Sequence, residues 1–340
     1  MTKDNVLKLG VKDLAKYPFL TEAGEYLRDT GLSLEHLGDP DWKPILERAY
    51  GRIVVASSGQ IYSTDIERLD NDSEILSFIV AIILLKTAGV NTLTRRFSLA
   101  EARRAEKYLQ QDLWMNKDAK HLDLPLKIIQ ELFGVRVSIE NDEFVLRISD
   151  YLKRAVHFHE KEWKLVNRRV ADGFVYLTAH ETVRLIRTEL GEYINSRIQS
   201  ISITSIPEIF RERVKDLISL SKRFSDATIV SSDYPPCVKH ATEVLERGQN
   251  LPHSGRFFLA TYLLAKGQTV DQIAPLFKNA PDYNERITRY QLEHIAGSSG
   301  KGTKYQCPSC DKLRSENLCF AIPDCDGIIN PVQFGKKRKN

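Results

Sequence analysis

Hydrophobic residues in the first half of the chain recur mostly with helical spacing. The longest apolar run, Ile75 to Leu85, is interrupted only by Ser77 and falls well short of the roughly 20 residues that a membrane span needs. It predicts a buried core helix that ends at Gly89. The pair Ser98 and Glu101 has the spacing of a capping box and predicts that another helix begins there.

The middle of the chain changes to the alternating pattern of strands. Apolar residues alternate on either side of the turn-forming ENDE, which predicts a β-hairpin over residues 135 to 148. A further strand, GFVYL (173 to 177), leads into a second capping box, Thr178 and Glu181, and a helix to about Arg197. We therefore predict a small αβ insert at about 134–178 among helices.

A serine-rich segment with few apolar residues separates two domains. After a helix that begins near Pro207, the sequence SKRFSDATIVSSDYPP ends in a Pro-Pro pair. We predict an N-terminal helical domain over residues 1–220, a linker over 221–232, and a mostly helical second domain over 233–340. The fold class is mainly α (α+β), and 340 residues with 42% hydrophobic content suffice for two cores.

In the second domain, NLPHSGRFFLATYLLAKG predicts a helix with Pro252 in its first turn and Gly267 at its end. His253 and Arg256 lie on that first turn. Two cations beside free backbone N–H groups are a natural receptor for a phosphate or triphosphate. The alternative is that both residues cap the helix or pair locally.

The segment DYNERITRYQLEHIAG predicts a second helix in this domain. Arg286, Arg289, Tyr290 and Glu293 share one face, opposite Ile287 and Ile295. An arginine beside an exposed aromatic ring suits the binding of a single nucleic-acid strand by charge and base stacking. An ordinary solvated helix face is the alternative.

The charge of the chain is unevenly distributed. Of the net +4, residues 1–230 contribute nothing, with 34 basic and 34 acidic residues, whereas residues 231–340 hold 15 basic and 11 acidic residues. The excess suits a phosphate-rich partner, although part of it is the tail KKRK (336 to 339). The polar segment MTKDNVLKLGVKDL lacks the apolar core of a secretory signal, so we expect a reducing cytosol and no structural disulfides.

Four of the five cysteines lie within residues 307–325, and the fifth, Cys237, lies 70 residues upstream. Clustered thiols in a reducing compartment point to a metal, and two arrangements compete. In one, the four local cysteines close a zinc site, which the CxxC spacing favours. In the other, Cys237 joins three of them around an iron–sulfur cluster. The position of Cys237 at a predicted helix start, which favours a thiolate, supports the second arrangement.

Two further groups of charged residues have to be weighed. Arg95, Arg96, Arg103, Arg104 and Lys107 form either a solvated basic face or a binding surface. Nucleotidyl transfer needs carboxylates that hold two metal ions, and the D-x-D pairs here are Asp39/Asp41, Asp70/Asp72 and Asp324/Asp326. None falls on a predicted strand, so we predict no catalytic residues in this chain and a polymerising site in a partner.

Several motifs in order resemble the large subunit of archaeal and eukaryotic DNA primase. They are YPPC, LPHSGRFFLATYLL, RYQLEHIAG followed by a glycine-rich loop and SC, then LC and DCDGI, together with KYPFL, RRFSLAEA and GFVYL near the N-terminus. The resemblance covers nearly the whole chain and is closest to the archaeal form. Its C-terminal series is far more specific than a single CxxC.

The resemblance implies a role for each motif. The implied ligands of a 4Fe-4S cluster are Cys237, Cys310, Cys319 and Cys325, with Cys307 departing from the family pattern as a spare. His253 and Arg256 match contacts to the initiating triphosphate and the template. Arg289, Tyr290 and His294 match the family's nucleic-acid-facing helix. Phe174, Val175 and Tyr176 fall in the strand that docks on the small catalytic subunit.

From this resemblance we expect a non-catalytic, substrate-positioning subunit of a heterodimeric primase. Its partners would be the small catalytic subunit, a single-stranded DNA template, nucleoside triphosphates and the RNA/DNA primer, with no membrane. It would be cytoplasmic and associated with the nucleoid or replisome. The alternatives are a zinc-stabilised nucleic-acid-binding protein without a polymerase partner, and a self-sufficient nucleotidyl transferase, which the lack of strand-borne acids disfavours.

Overall fold

A computed structural model describes residues 9–29, 39–60, 62, 71–115, 119–156, 158, 161–203, 206–225, 234–280, 283–299 and 302–335. The chain forms two compact units, Met1–Ser221 and Lys222–Asn340. The fold class is mainly α with one small sheet, as the sequence predicts. Within the described ranges, no helix is long and apolar enough to cross a membrane.

The first unit consists of helices that surround one apolar helix, with the sheet inserted after the sixth. The helices are α1 (Val11–Lys16), α2 (Thr21–Asp29), α3 (Lys43–Ser57), α4 (Asn71–Ala88), α5 (Asn91–Met115), α6 (Ala119–Phe133), α7 (Ile148–Ala155), α8 (Ala179–Ser200) and α9 (Glu208–Ser225). Helix α4 contains the long apolar run and is buried along most of its length. It ends at Gly89, whose φ of +65° only glycine adopts readily. The prediction of a core helix ended by Gly89 is confirmed.

The sheet is built from two hairpins. Its strands are β1 (Ser138–Glu140), β2 (Glu143–Arg147), β3 (Val170–Ala171) and β4 (Phe174–Leu177), in the antiparallel order β1-β2-β4-β3. Asn141 and Asp142 both have positive φ, which gives the first hairpin a tight turn that follows the twist of the strands. The predicted hairpin and the GFVYL strand are confirmed. So is the second capping box, in which the Thr178 Oγ1 accepts from the Glu181 N–H at 3.3 Å.

Strand β4 divides its residues between the two faces of the sheet. Val175 is fully buried and is paired with Leu146, whereas Phe174 is 37% exposed. The Tyr176 hydroxyl donates to Glu140 at 3.1 Å, and the guanidinium of Arg169 lies 4.3 Å from its ring centroid. A partner that docked on this strand would therefore contact Phe174 and Tyr176, while Val175 supports the sheet from inside.

A buried network of charges connects α3, α4 and α5. The guanidinium of Arg52 is fully buried and donates to both carboxylate oxygens of Glu101 at 2.6 Å. Arg104 donates to Glu74 at 3.1 Å and to the carbonyl of Ala15 at 3.0 Å, and Arg48 pairs with the same Glu74. Each buried charge thus has a partner of opposite sign, which is what makes its burial tolerable.

The network overturns two expectations for α5. The helix begins at Asn91, so Ser98 lies inside it and the predicted helix start at Ser98 is wrong. The carboxylate of Glu101 is bound by Arg52 from another helix, and this buried ion pair outweighs a local cap. Arg104 is 2% exposed, so it belongs neither to a solvated face nor to a binding surface.

The remaining basic residues of α5 differ in their surroundings. Arg96 donates to the carbonyl of Ser57 at 2.9 Å. Burial, with the nearby charge of Arg187, lowers the pKa of Arg103 to about 10. Arg95 and Lys107 are exposed. The basic run is therefore largely internal, and of its five residues only Arg95 and Lys107 are exposed.

The second unit is a smaller helical domain. Its helices are α10 (Pro236–Glu246), α11 (His253–Ala265), α12 (Val270–Ile273), α13 (Glu285–Ala296) and α14 (Cys310–Ser315). They share a core that includes Val238, Phe258, Leu259, Tyr262 and Leu292. Residues 221–225 of the predicted linker form the end of α9, and residues 226–232 lie outside the described residues.

None of the D-x-D residues that the structure describes lies on a strand. Asp41 lies in a short 3₁₀ turn, Asp72 is in the first turn of α4, and Asp324 is in the 3₁₀ turn Pro323–Cys325. Asp39 and Asp326 flank such turns, and Asp70 lies outside the described residues. These carboxylates are therefore scattered over both units.

Replacing Glu101 with Gln should lower the free energy of unfolding at pH 7 by about 3 kcal/mol, because the positive charge of Arg52 stays buried after its closest carboxylate is lost. Burial alone raises the pKa of Glu101, but the charge and hydrogen bonds of Arg52, with the charge of Arg104, outweigh burial and hold it below its ordinary 4.5. The stabilisation is therefore complete above about pH 4.5 and is lost as the pH falls through the lower folded pKa.

The measurement is urea unfolding of both proteins between pH 3 and pH 8. The matched control is E131Q, because Glu131 pairs with Lys127 on the exposed side of α6 and such pairs contribute about 0.5 kcal/mol. Equal unfolding midpoints for E101Q and E131Q at pH 7 would contradict the expected result.

Candidate functional site

Four cysteines from separate segments of the second unit line one small cavity. Cys237 lies in the first turn of α10, and Cys310 is the first residue of α14. Cys319 follows α14, and Cys325 ends the 3₁₀ turn after it. The cavity walls also include Pro235, Pro236 and Phe320. The fold therefore brings together the four thiols that the family resemblance names.

The local environment does not favour thiolates on its own. Burial raises the pKa of Cys237 to about 12, and the neighbouring Cys319 and Cys310 oppose its ionisation further. Backbone N–H groups at Val238 and Cys237 act in the opposite direction, as expected of a helix N-terminus, but burial outweighs them. The helix N-terminus thus favours the Cys237 thiolate, as the sequence predicts, but it is not the dominant influence on the pKa of this thiol. A bound cation would supply the missing positive charge.

The four thiols of this cavity are possible metal ligands. In the part of the chain that the structure describes, no three His, Cys, Asp or Glu side chains lie close enough together to hold a single metal ion. Four soft sulfur donors around one cavity are nevertheless the ligand set of an iron–sulfur cluster, whose four irons lie apart from one another. The donor set therefore fits an iron–sulfur cluster, and four thiolates are equally the ligand set of a structural zinc ion.

Cys307 has different surroundings. It does not line the cavity of the other four thiols but a separate hollow, together with Lys304, Gln306 and Asn330. Its thiol donates to the carbonyl of Pro308 at 3.7 Å, and burial, with the nearby Cys310 thiol, raises its pKa to about 12. The two cysteines of the CPSC motif therefore line different cavities.

A groove of about 370 Å³ lies between the start of α11 and α13. It brings together four of the five residues expected to bind nucleotide or template, namely His253, Arg256, Tyr290 and His294. Apolar residues complete it, among them Ala260, Phe277 and Leu292. No Asp or Glu occurs among its described lining residues, so the groove suits an anionic ligand.

Arg256 is held in position by the segment before its helix. Its Nε donates to the carbonyl of Leu251 at 2.8 Å, and its Nη2 donates to the Oδ1 of Asn250 at 2.6 Å. Pro252 precedes the helix, and no described side chain caps it. The first N–H groups of α11 thus lie beside the guanidinium, an arrangement that binds phosphates.

Aromatic rings form a row along the groove. The ring centroids of Tyr290 and His294 are 6.5 Å apart, and those of His294 and Tyr305 are 5.5 Å apart. Phe257 meets the edge of Tyr305 at 5.7 Å. Tyr290 is 61% exposed, so its ring is accessible to a base. The sequence pattern indicates Tyr290 and His294 but neither Phe257, which is on α11, nor Tyr305, which the folding of the loop brings beside His294.

The return of that loop depends on Gly297. Its φ is +76°, and a Cβ at this position would lie 3.0 Å from the Gly302 carbonyl oxygen and 3.1 Å from the Lys304 nitrogen. The Tyr305 N–H donates to the carbonyl of Ile295 at 3.1 Å. The chain therefore doubles back against the end of α13, and this brings Tyr305 next to His294.

Two residues of α13 differ from the predicted helix face. Arg289 does not line the groove, because its guanidinium pairs with the exposed Asp271 of α12 at 2.5 Å. Ile287, on the face opposite Arg289 and Tyr290, is 55% exposed, whereas Leu292 is buried. The sequence pattern places Arg289 and Tyr290 side by side, but Asp271 lies too far along the chain to enter that pattern.

Comparison with known proteins points to one family. A family model described as the C-terminal domain of the eukaryotic and archaeal DNA primase large subunit matches residues 227–333. The DNA primase large subunit PriL of Methanocella arvoryzae is 31% identical over 333 residues, which cover 95% of this chain and 87% of the relative. The proteins of that name from Methanosarcina barkeri and Methanococcoides burtonii are 32% and 33% identical, over 96% of this chain in both cases and 79% and 92% of the relatives. The chain belongs to the archaeal DNA primase large-subunit family.

The primase family model covers both features described above. Its range of residues 227–333 includes all five cysteines and every described residue that lines the groove. The relatives extend the match over the first unit as well, since each aligns with at least 95% of the chain. The resemblance inferred from the sequence motifs is therefore confirmed for nearly the whole chain.

A G297A variant should unfold at a lower urea concentration than G302A. Both glycines have φ near +70°, so both substitutions cost about 1 kcal/mol through backbone strain. Only at Gly297 does the added Cβ meet backbone atoms, whereas nothing lies within 4 Å of a Cβ at Gly302. The measurement is the unfolding midpoint of the two variants, and equal midpoints would contradict the role given to the close approach.

Proposed function

We propose that this chain is the non-catalytic large subunit of a heterodimeric DNA primase, which positions template and initiating nucleotide for primer synthesis during DNA replication. The observation that carries the proposal is the groove, in which two basic side chains, a helix N-terminus and a row of aromatic rings meet without an acidic residue among the described lining. The small subunit of the heterodimer would supply the metal-binding carboxylates and the polymerising site.

Different parts of the groove would bind the phosphates and the bases. Arg256, pre-oriented by Asn250 and the Leu251 carbonyl, would bind the triphosphate together with His253 and the amides of the first turn of α11. Tyr290 and His294 would stack on bases of the template strand. Holding both reactants near the partner's metals lowers the barrier to the first phosphodiester bond, because their translational freedom is already lost.

Arg289 would join this site by exchanging its partner. Its pair with Asp271 is formed between two exposed side chains, and such pairs contribute less than about 1 kcal/mol. A phosphate of the bound strand carries the same charge as the Asp271 carboxylate and would replace it at little cost. The resemblance assigns Arg289 to the nucleic-acid-facing helix, and this exchange reconciles that role with its position beside the groove.

The four cysteines Cys237, Cys310, Cys319 and Cys325 would hold a 4Fe-4S cluster. Cys237 lines their common cavity and Cys307 does not, which supports this arrangement over the local zinc site that the CxxC spacing favours. When bound, such a cluster supplies iron–thiolate bonds that tie the start of α10 to α14 and to the turn that follows it. Its role in the second unit would therefore be to hold these segments together.

The first unit would dock on the small catalytic subunit. Phe174, Val175 and Tyr176 lie on the strand that the resemblance assigns to this contact. Phe174 offers exposed apolar surface for it, and Tyr176 an aromatic ring beside Arg169. Val175 would act from inside by keeping the strand in the sheet.

Chemical analysis after anaerobic purification tests the cluster. We expect about four iron and about four sulfide ions per chain, the content of one 4Fe-4S cluster. C237S should lose the iron and the visible absorbance, whereas C307S should keep both, because Cys307 lies in another hollow. Zinc at one ion per chain, or loss of iron in C307S with retention in C237S, would overturn this ligand set.

Primer synthesis with purified subunits tests the function. The chain with its small subunit should form dinucleotides on a single-stranded template, and the chain alone should form none. R256A and H253A should each lower dinucleotide formation about tenfold or more, because a charged hydrogen bond to phosphate is lost. Elongation of a preformed primer should fall less.

The matched control is R247A, since Arg247 is an exposed arginine of the same unit that pairs with Glu243. Thermal unfolding of each variant verifies that R256A, which also loses two internal hydrogen bonds, remains folded at the assay temperature. Dinucleotide synthesis by the chain alone would show that it is itself a nucleotidyl transferase. Template binding with no effect on a small subunit's synthesis would favour the nucleic-acid-binding alternative.

A further inference from the structure

A second hollow, of about 510 Å³, lies beside the groove in the same unit. Tyr305 lines both, and it is the one residue that the two described linings share. On the groove side this ring contacts His294 and Phe257. The hollow has no role in the function proposed above, and its other main lining residues are Lys304, Gln306, Asn330 and Gln333.

Two of the lining residues, Asn330 and Gln333, have side-chain amides that bond to the backbone. Asn330 donates from its Nδ2 to the carbonyl of Cys307 at 2.9 Å, and its Oδ1 accepts from the Val332 N–H at 2.9 Å. The Oε1 of Gln333 accepts from the N–H groups of Ile329 at 2.9 Å and Asn330 at 3.3 Å. These bonds fix the Gln333 side chain through its oxygen and do not use its amide nitrogen, which is a hydrogen-bond donor.

The lining has the chemistry of a site for one nucleotide unit. Tyr305 offers an aromatic ring that is 39% exposed, Lys304 an exposed cation, and Gln306 and Gln333 side-chain amides. A base stacks on an aromatic ring, a phosphate pairs with a lysine, and an amide donates to the polar edge of a base. No Asp or Glu occurs among the described lining residues, so nothing there repels a phosphate.

We propose that the nucleic-acid strand bound in the groove continues across Tyr305 and places its next nucleotide in this hollow. The inference rests on the proposed function, since it needs a strand in the groove. The ligand is a single nucleic-acid strand. DNA and RNA both carry the phosphate and base that these side chains would contact, so the strand is either a DNA template or an RNA primer. Lys304 binds its phosphate, Tyr305 stacks on its base, and Gln333 donates to the base edge.

The experiment measures binding of fluorescent DNA and RNA oligonucleotides of two to ten nucleotides to the full-length chain. Affinity should rise stepwise with the length of the oligonucleotide. The last step should come from the nucleotide that reaches the hollow. K304Q and Q333E should remove that last step without weakening the shorter oligonucleotides. Q333E keeps an oxygen that accepts from Ile329 and Asn330, and replaces only the amide nitrogen.

The expected changes in affinity follow from the contact that each substitution removes. Y305A should weaken the longest oligonucleotide about tenfold, the effect of losing one stacked base, whereas Y305F should bind it like the wild type. K304Q should reduce the slope of log affinity against log salt by about 0.7 for the longest oligonucleotide only. The strand type that retains the last step in the wild type distinguishes DNA template from RNA primer.

The matched controls are K312Q and N317D, which change the charge by the same amount at exposed positions of the same unit outside the lining of both cavities. If K304Q and Q333E behave like these controls at every length, the hollow does not receive the strand and the inference is wrong. Equal weakening at every length would also overturn it, because the contacts would then belong to the groove. No binding at any length would refute the proposed function itself, and the inference with it.

Discussion

The close approach of the chain to itself at Gly297 determines how the second unit presents its site. The backbone of residues 302–304 lies so close to this position that a Cβ would meet an oxygen at 3.0 Å and a nitrogen at 3.1 Å. From that contact the chain runs directly to Tyr305, which completes the aromatic row, and on to Cys310, which enters the cysteine cavity. One glycine thus sets the direction of a segment that contributes to the groove, the second hollow and the thiol cluster.

Two ion-pair arrangements in the protein have opposite physical character. The pairs of Arg52 and Arg104 with Glu101 and Glu74 are almost entirely buried, so removing one partner leaves a charge without solvent and costs several kcal/mol. The pair of Arg289 with Asp271 is exposed on both sides and contributes little. The first arrangement therefore fixes how α3, α4 and α5 pack, whereas the second is exchangeable and suits a residue that has to release one anion to bind another.

Local patterns in the sequence predicted the elements well because their causes are local. Alternation predicted the hairpin, an unbroken apolar run predicted α4, and Thr178 with Glu181 predicted the start of α8. The failures all have a cause that is distant in the chain. The sequence pattern indicates a cap at Glu101 because its actual partner, Arg52, is 49 positions away. It groups Arg289 with Tyr290 because Asp271 is on another helix. Tyr305 joins the aromatic row because the loop returns to the end of α13, and no local pattern indicates that return.

The cysteines are a further case in which local spacing does not predict the contacts in the fold. One of them, Cys319, also lies in a segment that packs near the groove. Spacing alone treats Cys307 and Cys310 as one knuckle, yet α14 begins at Cys310 and leaves Cys307 in another hollow. Leu318, next to Cys319, lies 3.4 Å from where a Cβ on Gly255 would be, and Gly255 immediately precedes Arg256. The turn that carries a thiol therefore packs against the turn that carries the groove's arginine. Because protein interiors are close-packed, only one layer of side chains lies between the segment of Cys319 and the helix turn of Arg256.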